Sequence, residues 1–182
     1  MSVKFDEIYN LNKHSVVTSF TSPSNMTSSG TLGGDSFAVS RYYVPKGIST
    51  YKWEGDETNS LHMYLAFDSS SSTFCYVRAT STEHGYFFVY SPNPFNIESM
   101  TIKMRSSSYS LRDFMLQYSD DNVSYTDIER FSTTATSTWN ITVTPYEGYH
   151  KYYRFEIYTA GSADSTAQMT NIVLIGTQLV EL

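Results

Sequence analysis

The chain has 182 residues, of which 16% are aromatic (16 Tyr, 11 Phe, 2 Trp) and only 16% charged, with a net charge of −6. The acidic balance excludes the basic stripe that nucleic-acid binding draws on and the cationic face of a membrane-surface anchor. No stretch approaches the ~20 apolar residues of a membrane-spanning helix.

Ser and Thr make up roughly a quarter of the chain and suit turns and the wet faces of strands, while Tyr and Phe favour strands. The length suits one domain able to bury a core without staples. One cysteine, Cys75, allows no intrachain disulfide. Residues 1–36 read either as an N-terminal arm or as a first strand and loop, with a short helical turn over Asp6 to Val17. The first 17 residues carry no basic flank followed by an apolar run, so the chain is expected to fold in a reducing cytoplasm. Ser22 to Gly34 is rich in Ser, Thr and Gly, as either a flexible linker or a long loop would be. Residues 37–182 form the predicted sandwich.

Tyr86 to Tyr90 is continuously apolar, which predicts a central strand covered on both faces; Ile172 to Ile175 reads the same way. Ser91-Pro-Asn-Pro94 carries turn chemistry and predicts a break. Period-2 alternation then dominates. Met100, Ile102 and Met104 share one face against Thr101, Lys103 and Arg105. Phe114, Leu116 and Tyr118 line up, and Ser119-Asp-Asp-Asn122 predicts a hairpin turn. Trp139, Ile141 and Val143 oppose Asn140, Thr142 and Thr144. Tyr153, Phe155 and Ile157 oppose Arg154 and Glu156. Strands of this density separated by polar turns predict an all-β, two-sheet antiparallel sandwich.

Catalytic signals are absent. His14, His62, His84 and His150 sit in no motif, and there is no HExxH, phosphate-cradling Gly loop or CxxC pair. Cys75 reads as a packed core thiol. The chain is therefore not expected to be an enzyme.

Ala66 to Tyr76, Phe114 to Ile128, and Tyr152 to Ile157 with Met169 to Gly176 are three blocks that, in this order, resemble the discoidin family, which includes coagulation-factor C-domains and bacterial galactose-binding modules. The first is Ala66-Phe-Asp68, a Ser run and Thr73-Phe-Cys-Tyr76, similar to "A-F-D-G, short polar run, T, aromatic, W". The second, Phe114 to Ile128, is similar to "F-x-L-Q-Y-S-x-D-G-x-x-W-T-x-I". The third is Tyr152-Tyr-Arg154-Phe-Glu-Ile followed by Met169 to Gly176, similar to the family's closing strands. In this chain Asn122 stands for the hairpin Gly, Tyr125 for the hairpin Trp, Tyr76 for a common Trp and Val173 for an acidic residue. The Ser run lacks the usual Gly. The resemblance implies an eight-stranded, jelly-roll-like (galactose-binding-domain-like) sandwich over about Ala66 to Gly176, with ligand held by loops at one end. It nominates Arg105 and His84 as sugar-binding residues, with Tyr76, Trp53 and Asn171 beside them. A sugar needs an aromatic face and fixed polar groups, and Arg offers a planar donor fork. No cofactor is required; a structural calcium is implied at Asp68 and Thr73, where a turn-stabilising Asp68 is the other reading.

The lack of a secretion signal, the few charges and the Ser/Thr/Tyr-rich surface resemble bacteriophage virion proteins. The expected function is a virion surface, decoration or fibre module that binds a glycan or cell surface; the alternative is a purely structural capsid or tail protein. Expected partners are other virion proteins, cell-surface glycan and further copies of the chain.

Overall fold

Alternating residues become strands only where partners satisfy their backbone groups, and the pairing can be followed strand by strand. The computed structural model describes residues 15–28, 32–45, 52–53, 62–80, 83–161 and 166–181. Among them are ten strands: β1 (Ser15–Thr21), β2 (Ala38–Pro45), β3 (Lys52–Trp53), β4 (Cys75–Arg78), β5 (Glu83–Met104), β6 (Leu111–Ser119), β7 (Thr126–Ser132), β8 (Thr138–Thr142), β9 (His150–Ala160) and β10 (Thr166–Glu181). Two 3-10 turns, Met63–Ala66 and Ser107–Tyr109, complete the described elements.

All pairing is antiparallel and falls into two layers. The first runs β7-β6-β9-β5-β2-β3. In the second, β5 lies between β8 and β10, and β10 carries β1 and β4 on its other edge. One strand serves both layers. The first half of β5, to Tyr90, pairs with β2 and β9; its second half, from Phe95, which still faces His150 of β9, pairs with β10 and, over Ser99 to Lys103, with β8. The crossing is Ser91-Pro-Asn-Pro94, which the sequence predicts as a break. The strand instead runs through it. Pro92 and Pro94 have no N–H to offer a ladder, and they stand at the register shift between Tyr90 and Phe95, where pairing lapses. A strand that changes layer at such a bend is a known way of turning a sandwich corner.

The inward faces follow the alternation. Phe87, Val89, Phe114, Leu116, Tyr153, Phe155 and Ile157 from one layer meet Met100, Ile102, Ile141, Ile172 and Leu174 from the other in a single core. Phe87 stacks on Phe155 at 4.0 Å, and Phe114 meets Trp139 of the opposite layer edge-on at 5.4 Å. Burying each such ring contributes about 1.5–3 kcal/mol. Tyr86 to Tyr90 is covered on both faces, as expected: Tyr86 and Phe88, pointing away from the core, lie against Leu32 and Tyr125. Ile172 to Ile175 differs. It is central in the ladder but covered on one face, because Ile175 is 45% exposed.

Ser15 to Val17 open β1 rather than end a helical turn, and β1 pairs with the end of β10. The rest of Asp6 to Val17 lies outside the described residues. Phe20 of β1 stacks on Phe95 at 4.3 Å. Of the Ser22 to Gly34 stretch, the part to Met26 is tied to the sandwich. Ser22 N–H donates to the Leu174 carbonyl and Leu174 N–H to Ser22 Oγ, both at 2.9 Å, and Met26 N–H donates to the Phe67 carbonyl at 2.8 Å.

Candidate functional site

At the end where β5 leaves the second layer, an arginine is held among aromatic and amide groups. Arg105 follows the last residue of β5 and is exposed. Its N–H donates to the Gln168 carbonyl at 2.9 Å, and its Nη1 donates to Gln168 Oε1 at 2.8 Å. Its guanidinium lies over the Phe74 ring, 3.9 Å from the centroid. Gln168 pairs in register with Tyr76. Phe74 and Tyr76, two residues apart in extended chain, point to the same side, away from the core that takes Cys75 and Val77. The buried Arg41 covers one face of Tyr76 at 4.1 Å and donates from Nη1 to the Tyr76 carbonyl at 2.9 Å. Asn171 lies three residues along β10 from Gln168, opposite Lys103. It lines a depression of about 80 Å³ with Lys103, Thr170 and Ser69 to Ser71. Arg105, Tyr76 and Asn171 therefore share one surface, with the Asp68 loop beside them.

That loop closes on itself. Asp68 Oδ1 accepts the Ser70 N–H at 2.8 Å, and Oδ2 accepts the Thr73 hydroxyl at 2.7 Å. Ser69 stands at φ 63°, left-handed backbone, where the discoidin pattern has Gly. Its hydroxyl donates to the Ser24 carbonyl. A calcium site needs six to eight oxygens. Here a single carboxylate already accepts from the loop through both oxygens, and no group of three or more His, Cys, Asp or Glu gathers among the described residues. This donor set fits a hydrogen-bonded turn.

His84 and Trp53 stand elsewhere. His84 begins the other half of β5. Its Nδ1 lies 2.9 Å from Glu156 Oε1, close enough for an ion pair but not aligned as a hydrogen bond. The same carboxylate oxygen accepts the Tyr86 hydroxyl at 2.9 Å, and the Tyr158 ring meets His84 edge-on at 5.7 Å. Its contacts thus lie on the outer face of the first layer, apart from those of Arg105. Trp53, in β3, is placed by backbone pairing with Tyr42 of β2; its side chain lies outside what is described.

Among the described residues, Cys75 and His150 are engaged in packing. Cys75 is fully buried, and burial pushes its thiol up to about 12. His150 stacks on Tyr118 at 3.6 Å, with Nδ1 2.8 Å from Asp120 Oδ1. Its other nitrogen faces the Glu147 carbonyl at 3.2 Å, where a base would need a nucleophile.

A second concavity of about 500 Å³ opens at the far end of the second layer, between β5, the end of β8, the segment leading into β9, and β10. Glu98, Tyr149 and Thr177 stand in it, and no motif in the sequence points to them. The one available signal was Gly176, whose role becomes visible only with the strand pairing.

Neither a family model nor a curated protein matches the chain in sequence. Its fold does match solved structures. An F5/8 type C domain from Bacteroides fragilis superposes with a TM-score of 0.59 at 13% identity, covering 78% of this chain and 92% of its own. The Clostridium perfringens module CBM32-5, in complex with GalNAc-β-1,3-galactose, gives 0.56 at 10% identity, covering 76% and 94%. The family 32 carbohydrate-binding module of C. perfringens NanJ, in complex with galactose, gives 0.53 at 10% identity, covering 75% and 93%. The architecture of this chain is therefore the discoidin-like β-sandwich shared by F5/8 type C domains and family 32 carbohydrate-binding modules.

Proposed function

We propose that the protein is a non-enzymatic glycan-binding module that takes its ligand on the Arg105 surface. The observation that carries this reading is the exposed guanidinium, fixed by Gln168 and Phe74 beside a half-buried Tyr76. A sugar needs donors whose positions are set beforehand and an apolar ring to lie against. An Arg105 fork that uses one of its five N–H donors on Gln168 retains others for vicinal hydroxyls. Two of the neighbours in fold were solved with galactose-containing ligands, which supports the same ligand class.

A glycan array tests the reading. Arg105→Ala and Tyr76→Ala are expected to lower retention at least 10-fold, and His84→Ala to leave it unchanged. A uniformly blank array from folded wild-type protein would remove the lectin function and leave a structural assembly role. The setting in this reading is a virion surface, with other virion proteins and cell-surface glycan as partners. The sparse charge and the abundance of Ser and Thr support it. Mass spectrometry of purified particles tests it, and absence of the chain from them would sink it.

A further inference from the structure

The far concavity has the construction of a second binding site. Along β5, Met100 faces the core and Ser99 faces away, so uninterrupted alternation puts Glu98 inside and Ile97 outside. The structure has the reverse: Ile97 is fully buried and Glu98 is exposed. The cause is a bulge. Ser99 pairs with Ile175 and Ile97 with Gly176, leaving Glu98 as the extra residue on β5. Bulges re-aim side chains in this way. This one depends on Gly176, since a Cβ there would stand 1.9 Å from the Asn96 carbonyl oxygen.

The re-aimed carboxylate enters a prepared setting. The Thr177 hydroxyl stands 3.2 Å from Glu98 Oε1 and 3.4 Å from the Tyr149 hydroxyl. Asn96 Nδ2 donates to the Gly148 carbonyl at 2.8 Å, fastening the wall that carries Tyr149. A hydrogen-bond chain fixes the base. Ile97 N–H donates to the Tyr146 hydroxyl at 2.8 Å, which lies 2.9 Å from the Tyr153 hydroxyl, which in turn donates to the Phe95 carbonyl at 2.6 Å. Thr142 and Pro145 complete the rim.

We propose that this groove is a second saccharide subsite, in which Glu98 accepts hydroxyl hydrogen bonds from a neutral sugar lying against Tyr149. The lining selects the ligand class. Glu98 is an acceptor, and no cationic side chain stands among the described residues that line the groove, so an anionic ligand would meet like charge. A lone carboxylate at an open surface gives a basic peptide little. A hydroxyl-rich ligand can use both the carboxylate and the ring. Glu98 lies on the order of 20 Å along β5 from Arg105, so the two sites are separate. The choice of ligand class rests on the glycan-binding reading; the groove does not depend on the Arg105 surface.

Amide-resolved NMR titration of the full chain tests it, with D-galactose and N-acetylgalactosamine as neutral probes and D-glucuronate as the anionic one. Signals of Glu98, Tyr149 and Thr177 are expected to move with the neutral sugars. Glu98→Gln and Tyr149→Ala should each weaken that response at least 10-fold, glucuronate should bind at least 10-fold more weakly, and Arg105→Ala should leave the groove response unchanged. Retained spectral dispersion in each variant shows that the fold is intact. Movement confined to Arg105, Gln168 and Tyr76 overturns the groove and keeps the Arg105 reading. Movement confined to the groove and lost in Glu98→Gln supports the groove and removes the Arg105 reading. No movement at the groove with any probe, or a response that Glu98→Gln leaves unchanged, overturns the inference.

Discussion

The hydroxyl of Tyr125 donates to Asn122 Oδ1 at 2.6 Å. These are the two positions at which the β6–β7 hairpin departs from the discoidin pattern, Gly and Trp there being Asn and Tyr here. Asn122 keeps the left-handed backbone of the glycine, at φ 58°, and Tyr125 keeps the aromatic role. Its ring packs edge-on against Phe88 at 5.9 Å and under the Arg154 guanidinium at 4.1 Å. The two departures compensate each other.

Their coupling is measurable. Tyr125→Phe is expected to destabilise by about 0.5–1 kcal/mol, the net value of one hydrogen bond. Asn122→Ala should cost about 2 kcal/mol, because Ala loses the bond and tolerates left-handed backbone poorly. A double-mutant cycle in urea should return a coupling of about 0.5–1 kcal/mol; a cycle that closes at zero would mean the two side chains act independently.

The Asp68 turn is expected to hold without metal. Chelation by EDTA and addition of calcium should both leave the wild-type melting temperature unchanged. Asp68→Ala should cost about 1.5–3 kcal/mol under either condition, the range for hydrogen bonds to a charged acceptor. A rise in melting temperature with calcium that Asp68→Ala abolishes would establish an ion at this loop.

Stability should fall at alkaline pH. Burial raises the folded Cys75 thiol from 9.0 to about 12. Between those values the unfolded chain loses the proton first and so binds fewer protons, and stability drops by up to about 1.4 kcal/mol per pH unit. Tyr153 acts in the same direction from about pH 10, since burial raises its phenol and the neighbouring Tyr146 raises it further. Urea midpoints at pH 8 and pH 10.5 should differ, and the difference should shrink in Cys75→Ala. Ellman's reagent should leave the native thiol untouched and react after unfolding.

At the opposite end of the pH scale, the Arg130 guanidinium sits on both oxygens of Asp113, at 2.9 and 2.6 Å, and lowers its carboxyl. Stability from this pair is present above the unfolded value near pH 3.8 and is lost as pH falls through the folded one. Arg130→Met should therefore lower the urea midpoint at neutral pH, with the gap to wild type closing as pH falls below about 3.8, while the alkaline transition stays in place.

Gly176→Ala tests the bulge directly. The new methyl would overlap the Asn96 carbonyl, and overpacking against backbone should cost about 3 kcal/mol. Calorimetry checks the loss, and the Glu98 amide signal should move more than that of Met100.

The sequence determined which residues face the core. Met100 and Ile102, Phe114 and Leu116, Ile141, and Tyr153, Phe155 and Ile157 are read correctly because period-2 alternation is local, set by the pleat of each strand. It also marked the hairpin at Asn122 and, through the resemblance, nominated Arg105, His84, Tyr76, Trp53 and Asn171, of which strand pairing brings Arg105, Tyr76 and Asn171 to one surface. Tertiary structure decided the rest. Whether Ser91 to Pro94 ends a strand or carries it into the second layer depends on partners more than 50 residues away in β9 and β10. Whether Ile175 is covered depends on what lies over β10. His84 and Arg105, joined by one continuous strand, are parted because that strand bends between layers. Glu98 is sent outward by a bulge that exists only in the pairing of β5 with β10 and is permitted by the missing side chain of Gly176. Alternation is written in neighbouring residues, whereas register and bulges belong to the ladder between strands.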